Sequence, residues 1–174
     1  MLRRQGSGRS GSAVNSQGVV GVSSVFLLAR GGGDVVSALG STYHVKTDGD
    51  HVSNAYSLME EEFWGETTPL HAHPGAEETF YVLEGRIELW ANGDTVRASS
   101  GAFISVPRGV PHALRRLSAE PVRMLTIVSP PGFERIFQAV ATIGEDELLA
   151  DPERLAALAA QYGTEILGDY PVTR

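Results

Sequence analysis

Across residues 35–128 the chain breaks into short runs rich in β-branched and aromatic residues, each ended by glycine, proline or a polar pair. Many short strands at close spacing restrict a chain to a sandwich or a barrel. The runs cover 55–59, 79–83, 86–91, 95–98, 102–106, 112–117 and 122–129. Asn92-Gly93 joins two of them as a tight hairpin, because both residues tolerate positive φ. Gly85, Ser99-Ser100-Gly101 and the stretch 107–111 separate the others.

The pattern changes at Pro130-Pro131-Gly132, after which Phe133, Ile136, Phe137 and Val140 recur at helical spacing. A second helix has Asp151 as its cap, Pro152 at the first helical position, a stripe of Leu155, Leu158 and Tyr162, and Gly163 as its stop. Two C-terminal helices packed against the sheet are expected. The 174 residues suit one domain. Its expected parts are a tail (1–18), a β-barrel (19–129) and a helical extension (130–174). The tail is rich in Gly, Ser and Arg without apolar periodicity, a composition that cannot offset the entropy of ordering, so disorder is expected there. Arg3 and Arg4 ahead of the apolar stretch 19–29 imitate the start of a secretory signal, but no small-residue cleavage site follows Leu28. The stretch is also shorter than the ~20 residues that span a bilayer as a helix. A cytoplasmic protein without membrane association is the expectation.

Charge and composition narrow the chemistry. Lys and Arg number 14 against 21 Asp and Glu, a net charge of -7, with no basic block to meet a phosphate backbone. Nucleic acid is therefore an improbable partner. There is no cysteine, which excludes disulfides, thiolate nucleophiles and cysteine-based zinc sites. Gly31-Gly32-Gly33 is not followed by Lys and Ser or Thr, so no phosphate loop is present, and no nucleophile elbow is visible.

What remains is a cluster of metal-ligating types: His71-Ala72-His73, then Glu78, then His112. Side chains two apart on a strand share a face, so His71 and His73 reach one ion from a strand. Pro74-Gly75 supplies a turn that returns Glu78 on the neighbouring strand, with Phe80 and Val82 on its face and Glu77 pointing away. Three imidazoles and a carboxylate suit one divalent first-row metal (Fe, Ni, Mn, Co, Cu or Zn), with positions open for water, oxygen or substrate.

Gly65, His71, His73, Glu78 and Gly85 on one side, and Gly101, Pro107, Gly109 and His112 on the other, resemble the two sequence motifs of the cupin superfamily. The resemblance covers roughly 35–128 and implies an all-β, double-stranded β-helix, the jelly-roll barrel. It also implies metal binding by His71, His73, Glu78 and His112, turn roles for the glycines and Pro107, and a homodimer. The second motif ends in Asn in the family; here Arg116 stands at that position. A buried cation beside a metal is costly unless paired. Arg116 is therefore expected to turn outward to a surface partner such as Glu88, the alternative being a contact to an anionic substrate. The tail from 130 to 168 is similar to single-domain bacterial cupins of the quercetin-dioxygenase-like kind. That likeness implies a metal-dependent oxidoreductase acting on a small aromatic or enolic substrate, with Glu78 as catalytic base. The alternatives are a cyclase or isomerase of secondary metabolism using the metal as Lewis acid, and a non-catalytic small-molecule binder.

Around the motif, Tyr56, Met59, Phe63 and Trp64 are expected in the core and Glu60, Glu61 and Glu62 in solvent. Met124, Thr126 and Val128 should line the inner wall, with Leu125 and Ile127 packed outward against the helices. His44 and His51 have no partner at ligand spacing and are expected at the surface.

Overall fold

The computed structural model describes residues 19–22 and 25–171; the expected tail over 1–18 lies outside the described residues. A six-stranded antiparallel sheet contains β3 (Asp34–Ala38), β4 (Ser41–Thr47), β5 (Ser57–Phe63), β7 (Glu77–Glu84), β10 (Phe103–Val106) and β12 (Val122–Ser129). Their order is β10-β7-β12-β5-β4-β3. Facing it, β6 (Leu70–Ala72), β8 (Arg86–Ala91), β9 (Asp94–Ser99), β11 (His112–Arg116) and β13 (Glu165–Gly168) form a five-stranded sheet in the order β13-β6-β11-β8-β9. A separate ribbon pairs β1 (Val19–Val22) with β2 (Val25–Leu28). The result is the double-stranded β-helix that the motifs imply.

Strand alternation places the core. In β12, Val122, Met124, Thr126 and Val128 are buried while Arg123, Leu125 and Ile127 are half-buried. One cluster, between the sheets, contains Phe63, Phe80, Val82, Ile87, Leu89, Leu114 and Met124. Each such side chain contributes roughly 1.5–3 kcal/mol through burial. Asn92 and Gly93 have φ of 49° and 99°, which gives the β8–β9 hairpin its expected tight turn.

At the other end of the barrel lie α1 (Arg135–Ile143), α2 (Glu145–Leu149) and α3 (Pro152–Gln161). Asp151 caps α3 by accepting a hydrogen bond from the Arg154 backbone at 3.1 Å. Two helices were expected, and the short α2 is an addition. The helices pack on the inner face of the six-stranded sheet: Ile136, Phe137 and Val140 share a cluster with Val36, Tyr43, Met59 and Val128. Leu125 and Ile127 stand on the opposite face of β12 and take no part in that cluster, contrary to the expected packing. The reason is parity, since the residue of β12 that shares the helices' cluster is the inward-facing Val128. No helix among the described residues is long and apolar enough to cross a membrane.

The run expected at 55–59 continues to Phe63. The three consecutive glutamates lie within β5, so they alternate between faces: Glu61 is 4% exposed, while Glu60 and Glu62 face outward and meet Arg123. This corrects the assignment of all three to solvent. Met59 and Phe63 are in the core, but Trp64, just past the strand end, is 49% exposed and Tyr56 is half-buried.

Candidate metal centre

Four side chains expected to act together do meet. His71, His73, Glu78 and His112 each offer one ligand atom, and these atoms lie within 4.8 Å of one another. His71 and His112 sit opposite each other in the β6–β11 pairing, and His73 follows immediately after β6. Glu78 arrives from the other sheet. β7 pairs with β10 and β12, not with β6, so the Pro74-Gly75 turn crosses between sheets instead of making a hairpin. Phe80 and Val82 share the inward face of β7 with Glu78, and Glu77 points out towards Arg108.

The hydrogen bonds orient every ring the same way. His71 Nδ1 donates to the Pro69 carbonyl and His112 Nδ1 to the Val110 carbonyl, each at 2.9 Å. A carbonyl only accepts, so these nitrogens carry a proton; the neutral His71 ring keeps its lone pair on Nε2, while His112 Nε2 donates to Glu78 until a metal takes that proton's place. His73 Nδ1 lies 3.1 Å from Thr164 Oγ1. The three Nε2 atoms then converge on Glu78 Oε2, at 3.9 Å from His71, 3.1 Å from His73 and 2.8 Å from His112. Three imidazole Nε2 atoms and a carboxylate oxygen aimed at one point match, once a metal replaces the shared protons, the donor set of a divalent first-row metal. The group is positioned to hold one.

Electrostatics agree with that geometry. Burial lowers the His71 pKa to about 4, helped by the neighbouring His112, so this ring stays neutral and ready to ligate. Burial alone would raise Glu78, but hydrogen bonds from His112 and His73 outweigh it and hold the carboxyl well below the ordinary range. Burial likewise pulls His112 down, and the Glu78 hydrogen bond and charge outweigh that and raise it. Without metal, the carboxylate is thus stabilised by imidazoles that share their protons with it.

His71 and Glu78 line a cavity of ≈ 80 Å³, whose walls include Glu61, Phe80 and Thr126 from the barrel and Phe133, Phe137 and Thr164 from the C-terminal segment. Glu61 is a site residue that sequence reading missed. Its carboxylate accepts hydrogen bonds from Ser41 Oγ and Thr126 Oγ1, both at 2.7 Å. Burial raises its pKa to about 7, against the lowering effect of these hydroxyls. The signal was available in strand parity, because Met59, Glu61 and Phe63 occupy alternate positions of one run. Thr164 had no such signal, since nothing local in the sequence ties it to His73.

Arg116 does not line this cavity. Four residues along β11 from His112, about 13 Å at the usual strand rise, its guanidinium donates to the carbonyls of Gly65, Ser118 and Ala119. Glu88, the expected partner, is bound instead by Arg97, Arg115 and Tyr170. His51 is exposed and stacks on Phe26 at a centroid distance of 3.6 Å, and His44 is half-buried on β4.

Comparison with known proteins bears on the same stretch. Quercetin 2,3-dioxygenase of Bacillus subtilis (strain 168) is 30% identical over 86 residues, which are 49% of this chain and 25% of that protein. Polyketide synthase CurC of Streptomyces cyaneus is 35% identical over 66 residues, 38% of this chain and 43% of that protein. Both alignments cover less than half of the relative's own length. Among solved structures, the polyketide cyclase RemF from Streptomyces resistomycificus superposes with a TM-score of 0.51 at 27% identity, covering 59% of this chain and 78% of that one. Residues 64–128 match the Cupin domain family. Taken with the jelly-roll barrel and the two glycine-flanked motifs, that match identifies residues 64–128 as a cupin domain.

Proposed function

We propose that the protein is a metal-dependent enzyme that deprotonates the hydroxyl of a small enolic or phenolic substrate, and that it is a dioxygenase of the quercetinase kind. The observation that carries this reading is the convergence of three histidine Nε2 atoms on Glu78 Oε2 at the wall of a cavity. The metal, when bound by His71, His73, Glu78 and His112, supplies Lewis-acid activation and a template for substrate and oxygen. Glu78 Oε2 faces the histidines and is the acceptor for the substrate proton. Phe80, Phe133 and Phe137 provide the apolar walls that hold a flat substrate and exclude water. The cavity is smaller than the roughly 150 Å³ that accommodates a benzene ring. An aromatic substrate therefore needs the cavity walls to widen. The likeness to quercetin 2,3-dioxygenase supports the oxygen-dependent form.

A second reading, a cyclase or isomerase that needs no oxygen, is favoured by Glu61, a second buried carboxyl on the same cavity whose hydrogen-bond partners are the neutral hydroxyls of Ser41 and Thr126. The likeness to RemF and CurC points the same way. Oxygen-electrode assays across a flavonol, a catechol and a 1,3-diketone separate the two. Oxygen uptake matched to substrate loss supports the dioxygenase; equal turnover under argon supports the second reading. Loss of neither oxygen nor substrate across the panel would contradict both. We propose a homodimer as well, supported by Phe103, Tyr81 and Leu125, which stand side by side on the uncovered face of the six-stranded sheet. Light scattering of the eluting protein checks it, and a monomer mass would contradict it.

A further inference from the structure

Two of the three histidines are fixed by their own loops. His71 and His112 each donate Nδ1–H to a carbonyl two residues earlier, at Pro69 and Val110. His73 lies past the end of β6, and its Nδ1 reaches no local carbonyl. Its partner is Thr164, 91 residues later in sequence. The two groups are buried, at 2% and 4% exposure, so no bulk water substitutes for the contact. The chain delivers Thr164 there by a defined route. α3 ends at Gln161, Gly163 turns the chain with φ of 74°, and the Thr164 backbone donates to the Ala159 carbonyl at 3.0 Å. The chain then runs straight into β13, where Glu165 and Ile166 pair with Ala72 and His71. Phe133 from the same C-terminal segment packs edge-on against the His73 ring at 4.5 Å.

We propose that Thr164 is a positioning residue of the metal centre. Its hydroxyl accepts the Nδ1 proton of His73 and so aims Nε2 at the metal, which makes the C-terminal segment, outside the matched residues 64–128, part of the site. This rests on the metal-binding reading above. The segment has two consequences for the same cavity: it lines the chamber, and it finishes one ligand. Widening the chamber by displacing the segment removes the acceptor of His73, so access by that route and metal retention are coupled.

The test uses Co²⁺ alone as probe on the full chain, with affinity from competition against a chelator and geometry from the visible spectrum. Thr164→Val keeps shape and removes the acceptor. It is expected to weaken Co²⁺ binding about 10- to 100-fold and to alter the spectrum, while Thr164→Ser restores both to near the wild-type values. Tyr170→Phe removes a hydrogen bond from the same segment to Glu88, away from the ligands, and is expected to leave affinity unchanged. Thr164→Ala serves in place of the valine variant should that one fail to fold. Wild-type affinity and spectrum in the variants lacking the hydroxyl would overturn the proposal. Equal weakening in Tyr170→Phe would overturn it too, by showing that general docking of the segment is what matters. If wild-type protein fails to bind Co²⁺, or His73→Ala binds it equally well, the metal-binding reading itself is wrong, and the assignment of Thr164 falls with it.

Discussion

Replacing Glu61 by glutamine should change how stability responds to pH. In the folded protein burial keeps the Glu61 carboxyl protonated up to about 7, whereas its ordinary value is 4.5. Between these two values the folded state holds a proton that the unfolded chain releases. Stability therefore falls as pH rises, because the native state binds more protons than the unfolded one. The Glu61 contribution is fully present below 4.5 and lost as pH rises through about 7. At 1.36 kcal/mol per pH interval, the gap corresponds to about 3 kcal/mol. Glu61→Gln stays neutral throughout and keeps an oxygen to accept from Ser41 or Thr126. The unfolding free energy of wild type minus that of the variant should thus drop by about 3 kcal/mol from pH 4.5 to about pH 8. Denaturant titrations of chelator-treated protein at a series of pH values measure it. The remaining ionisable groups are common to both proteins and largely cancel in the difference. A difference that stays flat across this range would refute the reasoning, since Glu61 would then ionise as an exposed carboxylate does.

Three further expectations follow from neighbouring contacts. Thr126→Val deletes a hydrogen bond that lowers the Glu61 pKa, so the same stability transition should move to higher pH, and a transition at unchanged pH would count against the Thr126 contact. Arg116→Ala loses three bonds to loop carbonyls and should cost about 1–3 kcal/mol in denaturant unfolding while leaving metal content untouched; a loss of metal would return Arg116 to the site. Gly85→Ala places a Cβ 2.9 Å from Ser118 Oγ and 3.0 Å from Val122 Cγ2 at φ of 88°, and a melting temperature equal to wild type would contradict the tightness of that turn.

The barrel was legible because its strands alternate and its turns carry marked residues. Asn92-Gly93 identified a hairpin, and the buried face of β12 followed from parity alone. The grouping of His71, His73 and Glu78 was legible from spacing, since His71 and His73 stand two apart and the turn at Pro74-Gly75 brings back Glu78. What spacing cannot give is the partner of each strand. Glu78 meets the histidines across the barrel, a matter of long-range pairing that local periodicity does not encode. Glu61 was misplaced because a run of three glutamates reads as solvated until the strand is known to continue to Phe63. β13 and Thr164 were missed for a different reason: Glu165–Gly168 has only four residues, and its strand character comes from pairing with β6 rather than from its own sequence. Arg116 shares strand parity with His112, yet a rise of about 13 Å carries it away from the cavity.

Metal content tests the central claim most directly. Tag-free wild-type protein, reloaded and desalted, should carry about one divalent transition metal per chain by plasma mass spectrometry, with His73→Ala and Glu78→Ala close to none. Wild-type protein that stays far below one metal per chain, or variants that load as fully as wild type, would contradict the assignment of His71, His73, Glu78 and His112 as its ligands.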